Sequence, residues 1–172
     1  MAWLAFTKKA QTRNIALLEL KHLFRTLEVT SGIPKSFWQD PYAVGFVFGY
    51  TMGAGLFVAK KRLKPPDVLK ASVDVLYQLV PDHALEVAKR FNRWHETNAP
   101  HFHEGQTNGT ILALFLLGTN AADKESVVIE ARQRSHEISA VLDALHTTTD
   151  ERGKVGIALR RMLFYDRIQK LR

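Results

Sequence analysis

The stretch 41-PYAVGFVFGYTMGAGLFVA-59 decides how the rest of the chain is read. It carries no charge from Tyr42 to Ala59 and runs into Lys60, Lys61, Arg62 and Lys64, cations suited to the negative end of a helix dipole. Asp40 stands before Pro41 as an N-cap, with the proline pre-set for the first helical position, so the spacing predicts a helix from here to Ala59. Gly45, Gly49 and Gly53 fall four apart on one face of that helix, with Gly55 close by. Each interior glycine costs roughly 0.8 to 1 kcal/mol relative to alanine, and the four together about 3 to 4 kcal/mol. A helix keeps such a penalty most simply when the flat glycine face admits another backbone, as small-xxx-small seams do. The reading is therefore a buried central helix with Gly45, Gly49 and Gly53 as packing positions.

Two other readings take the same residues. Eighteen uncharged positions before a basic cluster reach the lower limit for a membrane span, which gives a membrane-attached subunit through residues 42–59 as an alternative. Only seven of those residues are Leu, Val or Phe, and the glycines, tyrosines and threonine dilute any tendency to insert. Gly49-x-x-x-Gly53-x-Gly55 also resembles a dinucleotide loop on paper, but no strand-then-helix context accompanies it.

Working outward, residues 9–29 form the next helical signal, with Leu17, Leu20, Phe24 and Leu27 at helical spacing and Ala16 and Leu23 alongside. Gly32 and Pro34 stop it. Beyond the central stretch, Pro66 to Leu79 presents Leu69, Val73, Leu76 and Val80 along one stripe, widened by Val68, Val75 and Leu79. Pro81-Asp82 opens a helix with Ala84, Val87, Ala88, Phe91 and Trp94 on one face, and Glu86 four residues before Arg90 on the other. Asn98 to Gly109, with Pro100, Gly105 and Gly109, reads as the longest irregular connection. A short apolar helix from Thr110 to Leu117 follows and ends at Gly118. Asp123 caps the next, whose stripe is Val128, Ala131, Ser135, Ile138, Leu142 and Leu145, and Thr148 with Glu151 has capping-box spacing for a last helix. The sum is an all-α, single-domain bundle of six or seven helices over residues 1–172, without strand alternation or internal repeat.

Composition supports that frame and narrows the chemistry. A chain of 172 residues with 46% hydrophobic content buries enough surface to fold without staples. The absence of cysteine excludes disulfide frameworks, thiolate metal sites and cysteine nucleophiles. The net charge of +7 is unevenly placed: residues 1–35 and 150–172 each carry a net +4, whereas 65–122 and 123–149 each carry −2. Basic ends and the cluster at 60–64 suit an acidic protein, nucleic acid or an anionic membrane surface. The N-terminus has its charge after its short apolar run, the reverse of a secretory signal, which points to a cytoplasmic protein.

Candidate chemistry is sparse. His95, His101, His103 and Glu104 fall within ten residues, and with His95 on the apolar face they form a candidate site for a divalent metal ion, the one cofactor the sequence suggests. Its spacing matches no strict ligand motif. Glu19 with His22, and Asp143 with His146, imitate the carboxylate-x-x-histidine pairs of di-metal bundles, but both lie off the apolar stripes. No nucleophile elbow, phosphate-loop lysine or His-Glu-x-x-His is present, so the leading reading is not an enzyme. The last helix shows two apolar stripes. Val155, Ala158, Leu159, Met162 and Tyr165 form one, and Ile157, Phe164, Ile168 and Leu171 gather nearly opposite, flanked by Arg160 and Arg161. A second stripe on a terminal helix, rich in arginine and aromatics, suits a twofold partner surface of Ile157, Arg160, Arg161, Phe164, Ile168 and Leu171. The functional expectation is a non-enzymatic helical interaction protein, homodimeric through this helix, with basic ends on an acidic partner. The metal-binding protein or metal-dependent enzyme is its alternative.

Overall fold

Pro41–Ala59 is a continuous helix, and it sits where its glycines direct it, against another backbone. In the computed structural model, which describes residues 2–59, 65–118, 129, 133, 139, 143 and 151–171, the elements in chain order are helices and turns. They are α1 (Ala2–Thr30), a 3-10 turn (Phe37–Gln39), α2 (Pro41–Ala59), α3 (Pro65–Leu79), α4 (Ala84–Glu96), α5 (Pro100–Leu117), α6 (Glu151–Arg160), a π turn (Arg161–Tyr165) and α7 (Asp166–Gln169). No strand occurs among the described residues, and the fold is an all-helical, single-domain bundle. Of the expected helix over 123–146 only residues 129, 133, 139 and 143 are described, each of them helical, while the Lys60–Lys64 cluster, Thr148 and His146 lie outside the described residues.

The start of α2 is held as its sequence requires, with the Ala43 N–H donating to Asp40 Oδ1 at 2.9 Å. Every residue from Tyr42 to Thr51 is buried. The partner that covers the glycine face is α5. A β-carbon on Gly45 would strike the carbonyl oxygen of Phe102, and one on Gly49 that of Gln106. At Gly53 it would lie 2.7 Å from the Ala113 β-carbon. Gly105 and Gly109 return the arrangement, facing the carbonyls of Tyr42 and Phe46. Contact positions rise together along both helices, so α2 and α5 run parallel. Thr110 Oγ1 ties them further by donating to Gly49 O at 3.0 Å.

This contact corrects the expected loop at Asn98–Gly109. Only Thr97–Ala99 is irregular there, and α5 already begins at Pro100, a position where a missing N–H is harmless. Gly105 and Gly109 are seam residues and not turn formers, a distinction that depends on what lies opposite them in space.

Helix α1 buries Ala16, Leu17, Leu20, Leu23, Phe24 and Leu27, the stripe its periodicity specifies, although the helix begins earlier, at Ala2. In α3 the buried line is Val68, Ala71, Val75 and Leu76, whereas Leu69 is exposed and Val73 only half-buried, so the face is rotated from the expected stripe. Helix α4 buries Ala84, Val87 and Phe91. None of the described helices is long and apolar enough to cross a membrane. The hydropathy of α2 is spent inside the bundle, which removes the spanning reading of residues 42–59.

The C-terminal segment resolves the puzzle of its two stripes. The N–H of Asp166 bonds to Arg161 O, five residues back, which defines the π turn. One extra residue in that turn sets the downstream part back by about 100°, one residue's share of an α-helical turn. Leu159, Leu163, Phe164 and Ile168 thereby fall on a single side and are all buried. Phe164 stacks on Phe24 at 5.7 Å and packs on Phe46 at 4.9 Å between ring centroids.

The seam makes a contrast in glycine substitutions testable. Gly49→Ala gains helix propensity but drives a methyl group into backbone, and we expect a net loss of about 2 kcal/mol or more. Gly156→Ala, where a β-carbon would meet Phe115 at an ordinary 3.6 Å, is expected to be neutral or to stabilise by up to about 1 kcal/mol. Urea unfolding of the two variants beside the wild type measures both.

Candidate functional site

Parallel neighbours such as α2 and α5 need a long return between them, and α3 and α4 supply it. The two return helices do not close over the seam completely. Between α2, α3, α4 and α5 lies a half-open cleft of about 660 Å³. Its walls are Phe48, Met52 and Leu56 from α2, Pro66, Val68 and Leu69 from α3, and Phe91 from α4. Its polar groups are Asn92 and His95 of α4 and Gln106 of α5. The floor is rigid, because Phe91 packs on Phe48 at 4.7 Å and edge-on against Phe102 at 5.4 Å. The volume falls within the range of small-molecule sites, and an apolar wall with a few convergent polar groups is their usual form.

The polar side of the cleft is ordered by a short hydrogen-bonded chain. His103 Nε2 lies 3.2 Å from Asn98 Oδ1, and Nδ1 lies 3.2 Å from Gln106 Oε1. Gln106 Nε2 has only the Met52 thioether for company, at 3.8 Å. His95 is exposed, with its ring nearly parallel to that of Phe91, at an angle of 7° and 6.0 Å between centroids.

The same residues show why the expected metal site does not assemble. His95 does not point inward, His101 is exposed with its Nδ1 3.5 Å from Glu104 Oε2, and both nitrogens of His103 face amide oxygens. Glu104 is engaged by Arg167 in an ion pair. Among the described residues no three His, Asp or Glu side chains are gathered as metal ligands. The expectation had His95 on the apolar face of α4, with His101 and His103 in an irregular connection able to converge on it. As part of a helix, His101 and His103 are about 200° apart and point in different directions.

The partner surface expected on the last helix is likewise corrected. Phe164 and Ile168 are buried within the monomer by the π turn, so they cannot anchor a second chain. Arg160 and Leu171 are half-buried, and Ile157 (65% exposed) and Arg161 remain outside.

On the opposite side of the seam, sequence reasoning missed a second polar group. Tyr42 donates to Leu163 O at 2.7 Å and accepts from Asn108 Nδ2 at 2.9 Å, while the Arg167 guanidinium sits over its ring at 5.4 Å. These contacts join α2, α5 and the C-terminal segment. Burial pushes the Tyr42 phenol up from its ordinary range, opposed by the Asn108 hydrogen bond and the Arg167 charge. Burial also raises that of Tyr50, with the Glu19 charge adding to it. Nothing in the sequence linked positions 42, 108 and 167, since the π turn that aligns them has no sequence signature.

No protein-family model matches the chain, and no curated protein or solved structure is significantly similar to it.

The raised phenols carry a pH consequence. Both side chains favour the neutral form more strongly when folded, so their contribution is fully present below the unfolded tyrosine value of about 10 and is lost as the pH rises through the folded values. We expect thermal stability to fall steeply above pH 10, and Tyr42→Phe to lessen that fall. Near pH 7 the same variant should cost about 1 to 3 kcal/mol for its two lost hydrogen bonds. Melting curves from pH 7 to 11 test both statements.

Proposed function

We propose that the protein is a non-enzymatic helical binding protein that holds a small apolar molecule in the cleft between α2, α3, α4 and α5. The observation that carries this reading is the cleft itself: about 660 Å³, walled by Phe48, Met52, Leu56, Val68, Leu69 and Phe91, with Asn92, His95 and Gln106 as its polar groups among the described residues. Binding suits it better than catalysis. Among the described residues no nucleophile stands in its wall, and no carboxylate lines it to act with His95 as an acid–base pair.

The neutral fluorophore N-phenyl-1-naphthylamine provides the test. It should bind the wild type at one site, with emission shifted to the blue. Met52→Trp, which fills the cleft from α2, should weaken that binding about tenfold or more, a change of about 1.4 kcal/mol or above. Unchanged binding in a folded Met52→Trp protein would place the probe elsewhere and end this reading.

A second component rests on charge. Ser36 Oγ donates to Leu171 O at 3.2 Å, which brings the C-terminal segment beside the α1–α2 connection and sets exposed Lys35 and Lys170 in neighbouring segments. Each terminal region carries a net +4 in sequence. We read this junction as the contact surface for an acidic protein partner. Binding of poly-glutamate should weaken as salt rises from 50 to 500 mM, and more sharply for the wild type than for Lys35→Glu, Lys170→Glu protein, because exposed charges interact within a shrinking Debye length. Salt-independent binding, or none at low salt, would remove the surface.

A further inference from the structure

The cleft reading leaves the chemistry of its occupant open, and the hydrogen-bonded chain at its polar side narrows it. Asn98 has a left-handed backbone, with φ 50°, at the residue that ends α4. Its N–H bonds to His95 O and the next N–H, of Ala99, to Trp94 O, the paired bonds of a Schellman turn. Glycine is the usual residue at this position and asparagine a less common one. Here the asparagine side chain has a use that glycine could not serve. Its Oδ1 lies 3.2 Å from His103 Nε2, and the other ring nitrogen, Nδ1, lies 3.2 Å from Gln106 Oε1, so the imidazole is held between two amides and a proton on Nδ1 donates to the Gln106 oxygen. With its oxygen turned toward His103, the Gln106 amide must turn its NH₂ the other way, toward Met52 and the cleft that both residues line. A thioether is a weak acceptor, and 3.8 Å is long, so this N–H is a donor held in place without a strong partner.

We propose that Gln106 is the specificity-determining residue of the cleft, its Nε2–H donating to the carbonyl oxygen of a neutral apolar ligand, with His103 and Asn98 as positioning residues. The proposal rests on the cleft being a binding site. The ligand class follows from what the wall contains and what it lacks. A donor held at one point calls for an acceptor on the ligand. Among the described residues no lysine or arginine lines the cleft, so a carboxylate would find no counter-charge from them to offset its desolvation. A ketone, ester or amide on an aromatic or aliphatic body meets the donor without that cost, and a plain hydrocarbon leaves the donor unpaired.

Three probes of one shape separate these classes: 6-propionyl-2-dimethylaminonaphthalene, 6-propyl-2-dimethylaminonaphthalene and 6-dimethylamino-2-naphthoate. The ketone should bind the wild type about three- to tenfold more tightly than the propyl compound, the ratio expected of one hydrogen bond, and more tightly than the carboxylate. Its emission should also carry the red-shifted component of a hydrogen-bonded carbonyl. In Gln106→Met the ketone and the propyl compound should bind alike, with that component absent. Asn98→Gly keeps the left-handed turn and removes only the amide that faces His103 Nε2. It should leave propyl binding within about twofold while reducing the preference for the ketone.

Equal binding of ketone and propyl compound by the wild type would overturn the proposal, as would a preference that survives in Gln106→Met. A preference untouched by Asn98→Gly would remove the positioning chain. Binding of none of the three probes, together with no effect of Met52→Trp on the naphthylamine, would be the separate failure of the cleft itself.

Discussion

Backbone laid on backbone between α2 and α5 is the constraint from which the other features follow. Five glycines line that contact, and at four of them the space for a β-carbon is occupied by a carbonyl of the opposing helix. Contact this close trades the intrinsic helix cost of glycine for dense packing and weak Cα–H to carbonyl bonds along the seam. It also tolerates almost no sliding, because each glycine is set against a particular turn of the partner. The two helices therefore act as one rigid unit, with side chains crowded onto the two flanks that the seam leaves free.

Each flank then acquires a distinct character. On one, Tyr42, Asn108 and the C-terminal segment meet through hydrogen bonds that bury a phenol and satisfy a carbonyl of the π turn. The extra residue of that turn turns Phe164 and Ile168 into the core and leaves Ile157 outside. On the other flank α3 and α4 must carry the chain back from the end of α2 to the start of α5. Helix α4 is clamped to α5 by a turn of three residues, while α3 follows from the end of α2, and the space between their footings is the cleft. Its position is thus a consequence of parallel topology: antiparallel neighbours would have needed only a short turn and no returning pair.

Much of this was legible in the residues alone, and the boundary of what was legible has a physical cause. Local periodicity placed α1 and α4, because a stripe such as Leu17, Leu20, Phe24 and Leu27 reports burial directly. Asp40 before Pro41 marked the start of α2 because capping is a matter of adjacent residues. Gly45 and Gly49 revealed that a backbone approaches α2. Gly105 and Gly109 did not reveal that they were the other half, since a glycine in a polar segment containing proline has the composition of a loop. The His95, His101, His103 grouping failed for the same reason, as residues close in sequence diverge once a helix spreads them around its axis. The two stripes of the last segment required regular α geometry to stay apart, and a single π turn merged them.

The cleft illustrates the same limit in a more general form. Its lining comes from four helices, and none of Met52, Leu69, Asn92 or Gln106 has a neighbour in sequence that marks it as anything but surface or filler. What distinguishes them is an imbalance visible only in three dimensions. Gln106 has its oxygen held and its nitrogen facing a thioether, whereas Asn108, two residues on, spends its amide on Tyr42. Both belong to the same helix and differ by about 200° in direction, so one amide is consumed by the fold and the other is left over. A buried or half-buried donor without a strong acceptor is a small standing cost to the folded state. The fold removes that cost at Asn108 by bringing Tyr42 to it, whereas at Gln106 the described residues offer the amide nitrogen only the Met52 thioether.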